Sequence, residues 1–198
     1  MNKQYLCTQN RKNMLSIKTF YCNPFRECTY VITSESDLCL IVDPGMYGEK
    51  EENRVLDYLR EKHLTPAAIL ITHTHLDHIC ALDVIEKAYP NTPKYGYNYR
   101  YEDEKSPITL AGMTFRMLFT PGHKEDCVCY YFESDGILFS GDTLFQESIG
   151  RTDLPGGDYT TLQDSLRRLS LLPDTTVVYP GHGYTTTIAH EKAHNPYL

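Results

Sequence analysis

The chain has 198 residues, a formal net charge of -7, and hydrophobic and charged fractions of 41% and 23%, the balance of a soluble globular protein. The length suits one domain with a sizeable core. The acidic balance argues against a phosphate-gripping face, so no nucleic acid is expected as a partner, and no stretch approaches the roughly 18 apolar residues of a membrane span.

Asn2 to Asn13 is polar, without the apolar centre of a signal peptide. The seven cysteines are odd in number and form no C-x-x-C pair. Together these features predict reduced thiols and a cytoplasmic location. Residues 1–13 carry no periodic pattern and read as a flexible extension. Met14 is a candidate alternative start, and residues 14–198 read as one domain.

Ile17 to Tyr21 is the first strand-like run. Thr29 to Thr33 and Leu38 to Val42 form a predicted hairpin around Ser34-Glu35-Ser36-Asp37, and Asp43-Pro44-Gly45 ends it. Lys50 to Lys62 places Val55, Leu56 and Leu59 at helical spacing. Ala67 to Ile71 is a short buried strand, and Ala81 to Tyr89 a helix closed by Pro90. Two further hairpins are expected, Pro107–Leu110 with Met113–Phe119 and Val128–Phe132 with Ile137–Ser140. Leu144 to Gly157 reads as one long loop, a length that is usually functional. Asp158 to Leu171 reads as a helix with Tyr159, Leu162, Leu166 and Leu169 on one face. Thr176 to Tyr179 is the last predicted strand, followed by a short tail. Strands outnumber helices and many are hairpin-linked, so the expected class is α+β, with mixed sheets and helices outside.

His73-Thr74-His75-Leu76-Asp77-His78 puts four metal-capable side chains within six residues, directly after a strand. Offsets of 0, 2, 4 and 5 cannot share one face of a strand or helix, so the loop is expected to send ligands to two places. Three more strands end in a turn with a ligand: Thr120-Pro121-Gly122-His123, Ser140-Gly141-Asp142 and Tyr179-Pro180-Gly181-His182. Ligands beyond the carboxyl ends of strands collect where open sheets place their sites. Counting assigns His73, His75 and His123 to a first metal and Asp77, His78 and His182 to a second, with Asp142 bridging. Two dications need anions between them; two carboxylates and one hydroxide leave about one positive charge, which favours a developing oxyanion. Nitrogen and oxygen ligands without thiolate suit zinc, with iron or manganese as alternatives.

Other candidates take plainer readings. His63 sits in the last turn of a helix, where a cation suits the dipole. His190-Glu191-Lys192-Ala193-His194 matches H-E-x-x-H but lies in the last nine residues and is expected to pack in the tail. Cys127 and Cys129 are expected to be core thiols. Tyr95, Tyr97, Tyr99 and Tyr101 would share an exposed face if extended, or wall the pocket mouth.

The ligand set, with Asn23-Pro24-Phe25, Val42-Asp43-Pro44-Gly45, Ser140 to Phe145, Ser148 to Asp158, Tyr179 to Gly183 and Asn195-Pro196-Tyr197-Leu198, resembles the metallo-β-lactamase superfamily. The resemblance is closer to the glyoxalase II-like hydrolases (hydroxyacylglutathione hydrolases), especially their short single-domain bacterial branch. That resemblance covers the chain from about Met14 onward. It implies a four-layer αββα sandwich with a dinuclear site at one edge, and hydrolysis of a hydroxyacyl thioester to a hydroxy acid and a thiol. The chain departs from the family in three places. The chain is expected to lack the helical carboxy-terminal region that helps long glyoxalase II enzymes hold glutathione, Ile79-Cys80-Ala81 stands where the family often has glycine, and Lys124 to Cys127 replaces a glycine-containing turn.

The expected chemistry uses activated water, with Asp77 orienting it and Asp142 between the metals as the catalytic carboxylates. Arg151 and Asp153 are expected to pair and shape their loop, Arg151 alternatively touching an anionic substrate. The expected partner is a small-molecule thioester; oligomeric state is left open. A rival resemblance is to persulfide dioxygenases, whose single iron is held at positions matching His73, His123 and Asp142. Further alternatives are a lactonase or β-lactamase and a non-catalytic metal-binding scaffold.

Overall fold

A computed structural model describes residues 15–198 of the chain. The expected extension over residues 1–13, together with Met14, lies outside the described residues. The elements run β1 (Ser16–Cys22), β2 (Glu27–Thr33), β3 (Leu38–Val42), α1 (Glu49–Glu61), β4 (Thr65–Leu70), α2 (Leu76–Ile79), α3 (Leu82–Ala88) and β5 (Lys94–Tyr95). They continue with β6 (Ile108–Leu110), β7 (Met113–Phe119), β8 (Val128–Phe132), β9 (Ile137–Gly141), β10 (Leu144–Phe145), β11 (Ser148–Ile149), α4 (Tyr159–Leu169), β12 (Val177–Pro180), β13 (Thr186–Thr187) and α5 (Ile188–His194).

Two mixed sheets form, in the orders β1-β2-β3-β4-β5 and β13-β12-β9-β8-β7-β6. Alternation along the strands dictates the layering, since successive side chains point to opposite faces. In β2 and β3, Tyr30, Ile32, Leu40 and Val42 enter one apolar cluster with Phe115, Met117, Val128, Tyr130 and Phe139 of the other sheet. Their neighbours Val31 and Ile41 face outward against Val55 and Leu59 of α1 and Ile85 of α3. In β8, Cys129 and Tyr131 face Leu162, Leu166 and Leu169 of α4 and Ile188 of α5. Helix, sheet, sheet and helix therefore stack in four layers, the αββα sandwich that the resemblance implied.

Packing governs the helix positions. Val55 and Leu59 turn α1 onto its sheet, while Glu49, Glu51 and Glu52 sit in its first turn, where the dipole favours negative charge. α4 starts where the Asp158 carboxylate accepts the Thr161 backbone N–H at 2.6 Å. That cap sets the helix start, and Tyr159, expected on the buried face, stays 52% exposed. No helix among the described residues is long and apolar enough to cross a membrane.

Three segments differ from expectation. Residues 144–157 contain the small antiparallel pair β10 and β11. The tail after β12 adds β13 and α5 to the second sheet's side. The tyrosine run is not extended: Gly96 turns the chain, Tyr95 packs in the inter-sheet core, and Tyr97 stacks on Phe119 with ring centroids 4.8 Å apart. The Gly96 N–H donates to Arg100 O and the Tyr99 N–H to Gly96 O, so alternate tyrosines lose their common face.

The sheets are tied together at one edge. Tyr30 donates its hydroxyl to Pro180 O at 2.6 Å, and Tyr130 donates to Ile71 O at 2.8 Å. The Cys28 N–H donates to Gly181 O and the Val128 N–H to Thr72 O, both at 2.8 Å. Those acceptors belong to, or adjoin, the segments that carry the candidate ligands.

Candidate metal centre

The loop after β4 carries His73 and His75, and α2 presents Asp77 and His78. His123 follows β7, Asp142 ends the turn after β9, and His182 follows β12. β7 and β9 both run antiparallel to β8, and β12 runs parallel to β9, so their carboxyl ends lie at one edge. Close approach there requires glycine: a Cβ on Gly181 would stand 2.3 Å from Asp142 Oδ1, and one on Gly141, at φ 49°, 2.5 Å from Thr72 Oγ1.

Two triads form. His75 Nδ1 lies 3.1 Å from His73 Nε2 and 2.9 Å from His123 Nε2. His182 Nε2 lies 3.3 Å, and His78 Nε2 3.9 Å, from Asp77 Oδ2. Asp142 stands between them: its Oδ2 is 3.5 Å from His123 Nε2 and 3.6 Å from His182 Nε2, and its Oδ1 is 3.3 Å from His78 Nε2. All seven residues predicted as ligands are thus brought together, and both triads and the His73, His78 and Asp142 group have the spacing to hold a metal ion.

Each imidazole except His75 is oriented through its other nitrogen. The His123 Nδ1–H donates to Arg151 O at 2.7 Å, and the His182 Nδ1–H donates to Phe25 O at 3.0 Å. Thr72 gives its hydroxyl proton to Asp43 Oδ2 at 2.6 Å, so its oxygen accepts from His73 Nδ1 at 3.1 Å. Asp43 Oδ2 also accepts from His78 Nδ1 at 3.0 Å, and Asp43 Oδ1 accepts the Thr72 backbone N–H at 2.7 Å. With the Nδ1 proton placed outward, each Nε2 turns a bare lone pair inward, the form a metal needs.

The donor set fits divalent cations. His78 Nε2 and Asp142 Oδ1 are buried without any hydrogen-bond partner, an expensive arrangement unless a cation satisfies them. Three imidazole nitrogens crowd together in the first triad, where one proton could serve only one of the two short contacts. Burial, then the neighbouring imidazoles, pushes His73 well below its ordinary range; burial and His123 lower His75 as well. Both therefore favour the neutral form that a metal requires. In the second group burial opposes charge, but the acids prevail: Asp142 and Asp43 raise His78, and Asp77 and Asp142 raise His182. Asp77 is drawn down to about 2 against its own burial by His182 and His78. A negative potential strong enough to favour protons there favours a divalent cation in their place.

Sequence reasoning missed the supports. Asp43 ends a strand just as Asp142 does, but only the sheet register shows that it faces inward beneath His78. Glu27 is fully buried on β2, its Oε2 accepting from Thr29 Oγ1 at 2.9 Å, and burial raises its carboxyl well above the usual range. It lies within 4.8 Å of Asp43 and His78. His78 Nδ1 is committed to Asp43, and both Asp43 oxygens take hydrogen bonds, so this group supports the centre. Asp126 Oδ2, also buried, accepts from Thr74 Oγ1 at 2.5 Å and Asn98 Nδ2 at 2.6 Å, tying the His73–His75 loop to the turn after His123.

The other residues singled out in the sequence fall outside the centre. His190 Nε2 lies 2.9 Å from Glu147 Oε1, and Glu191 is buried, accepting from the Glu147 N–H, Thr186 Oγ1 and Asn195 Nδ2. The H-E-x-x-H match is thus tail packing. Cys127 and Cys129 are buried. Arg151 donates bidentately to Asp153, at 2.7 and 2.6 Å. A cavity of about 570 Å³ opens over the centre, lined by Phe25, His75, Leu76, Asp77, His123, Asp142, Arg151, Leu154 and His182.

The family model described as the metallo-beta-lactamase superfamily matches residues 24–111 and 101–182. The chain is 36% identical over 207 residues to the protein named "Probable metallo-hydrolase YqgX" of Bacillus subtilis, covering 88% of this chain and 93% of that one. It is 30% identical over 212 residues to the hydroxyacylglutathione hydrolase GloC of Haemophilus influenzae, covering 93% and 98%. Among solved structures, the BLEG-1 B3 metallo-beta-lactamase superposes with a TM-score of 0.84 at 33% identity, over 92% of this chain and 99% of that one. TTHA1623 in a di-iron-bound form gives 0.80 at 33%, over 91% and 100%. ETHE1 from Myxococcus xanthus gives 0.82 at 31%, over 91% and 83%.

Proposed function

The chain belongs to the metallo-beta-lactamase superfamily, and on that premise we propose that it is a dinuclear metal-dependent hydrolase of thioesters, of glyoxalase II type. The observation that carries this reading is the position of Asp142, whose Oδ2 stands 3.5 Å from His123 Nε2 of one triad and 3.6 Å from His182 Nε2 of the other. His73, His75 and His123 would hold one ion and Asp77, His78 and His182 the other, with Asp142 shared. Divalent ions bound there supply Lewis-acid polarisation of an acyl carbonyl and bring the pKa of water toward about 7. Zinc suits the donors, as do iron and manganese; a relative at 33% identity was solved with two irons.

The chain's own side chains have separable tasks. Asp77 stays ionised at neutral pH and accepts a hydrogen bond from the attacking water, aiming its oxygen at the carbonyl. Asp43 and Thr72 fix the rings of His78 and His73 from behind. No side chain lining the cavity among the described residues is free to protonate a leaving group: the imidazoles and carboxylates face one another, and Arg151 is held by Asp153. A thiol of pKa about 8.5 leaves as thiolate without such help, whereas an amine does not. That chemistry favours a thioester over a lactam, and the hydroxyacylglutathione hydrolase among the relatives supports the same choice.

A second reading, a mononuclear-iron persulfide dioxygenase, draws support from the likeness to ETHE1. It leaves Asp77 and His182 idle, although His182 is oriented by Phe25 O and points at Asp77. Elemental analysis of protein purified without chelator separates the readings. Near two metals per chain with thioester hydrolysis, both reduced by Asp142→Ala, is the expected result. One iron per chain with oxygen uptake on a persulfide would replace this reading with the dioxygenase, and bound metal without turnover would leave a scaffold.

A further inference from the structure

The mouth of the cavity departs from what a carboxylate-bearing substrate needs. Phe25 and Leu76, 71% and 78% exposed, stand beside it with Leu154. Leu76 opens the helix that carries Asp77 and His78, and Phe25 and Leu154 lie on the segments whose carbonyls orient His182 and His123. Large apolar side chains gathered at the opening of one polar site are what a binding surface for an apolar group presents. Arg151 is the one lysine or arginine among the described lining residues, and its guanidinium is closed on both Asp153 oxygens. The nearby Lys124 donates to Thr74 Oγ1 at 2.6 Å and lies 3.2 Å from Asp126 Oδ2.

Resting on the thioesterase reading, we propose that Asp153 is a specificity-determining residue. It occupies the Arg151 guanidinium, so the site selects thioesters with uncharged, apolar substituents over those bearing carboxylates. The pair is solvent-exposed and weak in absolute terms. Its advantage is connectivity: a carboxylate two residues away competes at an effective concentration that a free substrate rarely matches. The Arg151 backbone carbonyl is already used to orient His123, so the residue can hold the centre in place while its side chain takes no part in binding.

The test compares two lactoyl thioesters on metal-loaded protein, one of glutathione and one of uncharged N-acetylcysteamine. Their non-hydrolysable 2-hydroxypropyl thioethers are titrated in parallel by calorimetry. The wild type is expected to favour the uncharged substrate in kcat/KM, and its thioether in Kd. Asp153→Asn is expected to tighten the glutathione thioether and lower KM for the glutathione thioester by about fivefold, without moving the uncharged pair. A wild type that prefers the glutathione compounds, or an Asp153→Asn variant with unchanged ratios, overturns the proposal. If neither thioester turns over, the thioesterase reading fails, and the calorimetric ratios still decide whether Asp153 sets the charge preference of the cavity.

Discussion

Asp43 and His78 are 35 residues apart in the chain, yet Asp43 Oδ2 accepts from His78 Nδ1 at 3.0 Å with both side chains buried. The same carboxylate holds Thr72, whose hydroxyl oxygen accepts from His73. One acid therefore sets ring orientation in both triads.

Asp43→Asn tests that relation. Asn tolerates the left-handed backbone at this position, φ 46°, so the fold should survive. Losing an outer support of this kind lowers metal affinity by about 10–100-fold. Competition with a chelator, read as metals retained per chain, should show that drop; unchanged retention would remove Asp43 from the centre.

Gly181→Ala separates space from conformation. The backbone there is not left-handed, but a Cβ would lie 2.3 Å from Asp142 Oδ1 and 2.7 Å from His78 Cε1. Overpacking should cost about 1–3 kcal/mol and displace Asp142, so metal content falls in a protein that still melts cooperatively. Gly122→Ala should be worse for folding, because its φ is 135° and its Cβ would meet the Leu162 backbone at 2.3 Å. Equal metal content in wild type and Gly181→Ala would contradict the close packing described.

The H-E-x-x-H match makes opposite predictions for neighbouring residues. His190→Ala breaks a partly exposed pair with Glu147 and should change stability by less than about 1 kcal/mol, with metal content intact. Glu191→Ala removes three hydrogen bonds from a buried acceptor and should cost about 3 kcal/mol or more. A denaturant titration of both variants checks the contrast. Loss of metal in His190→Ala would reinstate the motif.

Thiol ionisation gives a pH dependence. Burial pushes Cys22 and Cys129 up to about 11 and Cys28 and Cys39 up to about 12. Unfolded thiols ionise near 8.5, so the folded state favours the protonated form. The resulting stabilisation is complete below about pH 8.5 and is lost as pH rises toward 11–12. The melting temperature should therefore fall across that alkaline window. At pH 8, alkylation mapped by peptide mass should find Cys80, the least buried thiol among the described residues, modified before Cys22, Cys28, Cys39, Cys127 and Cys129. Modification of Cys39 at the same rate would show that its burial is not maintained in solution.

The sequence by itself named the candidate ligand residues and most of the strands and helices. A histidine or aspartate after a strand and a glycine is a local pattern, and it named His123, Asp142 and His182 without any knowledge of distance. The apolar runs Leu38 to Val42 and Val128 to Phe132 likewise named strands by their length and composition, while the four layers entered only through the family resemblance. Only the tertiary structure decided what stands behind the ligands. Asp43 meets Thr72 across 29 positions, and His123 meets the Arg151 carbonyl across 28. Such hydrogen bonds depend on how strands register and where loops return, and periodicity carries no information about either. The tyrosine run fails for a related reason. Its alternation predicted one face, but Gly96 turns the chain and Tyr95 is taken into the inter-sheet core, so tertiary packing overrode the local pattern.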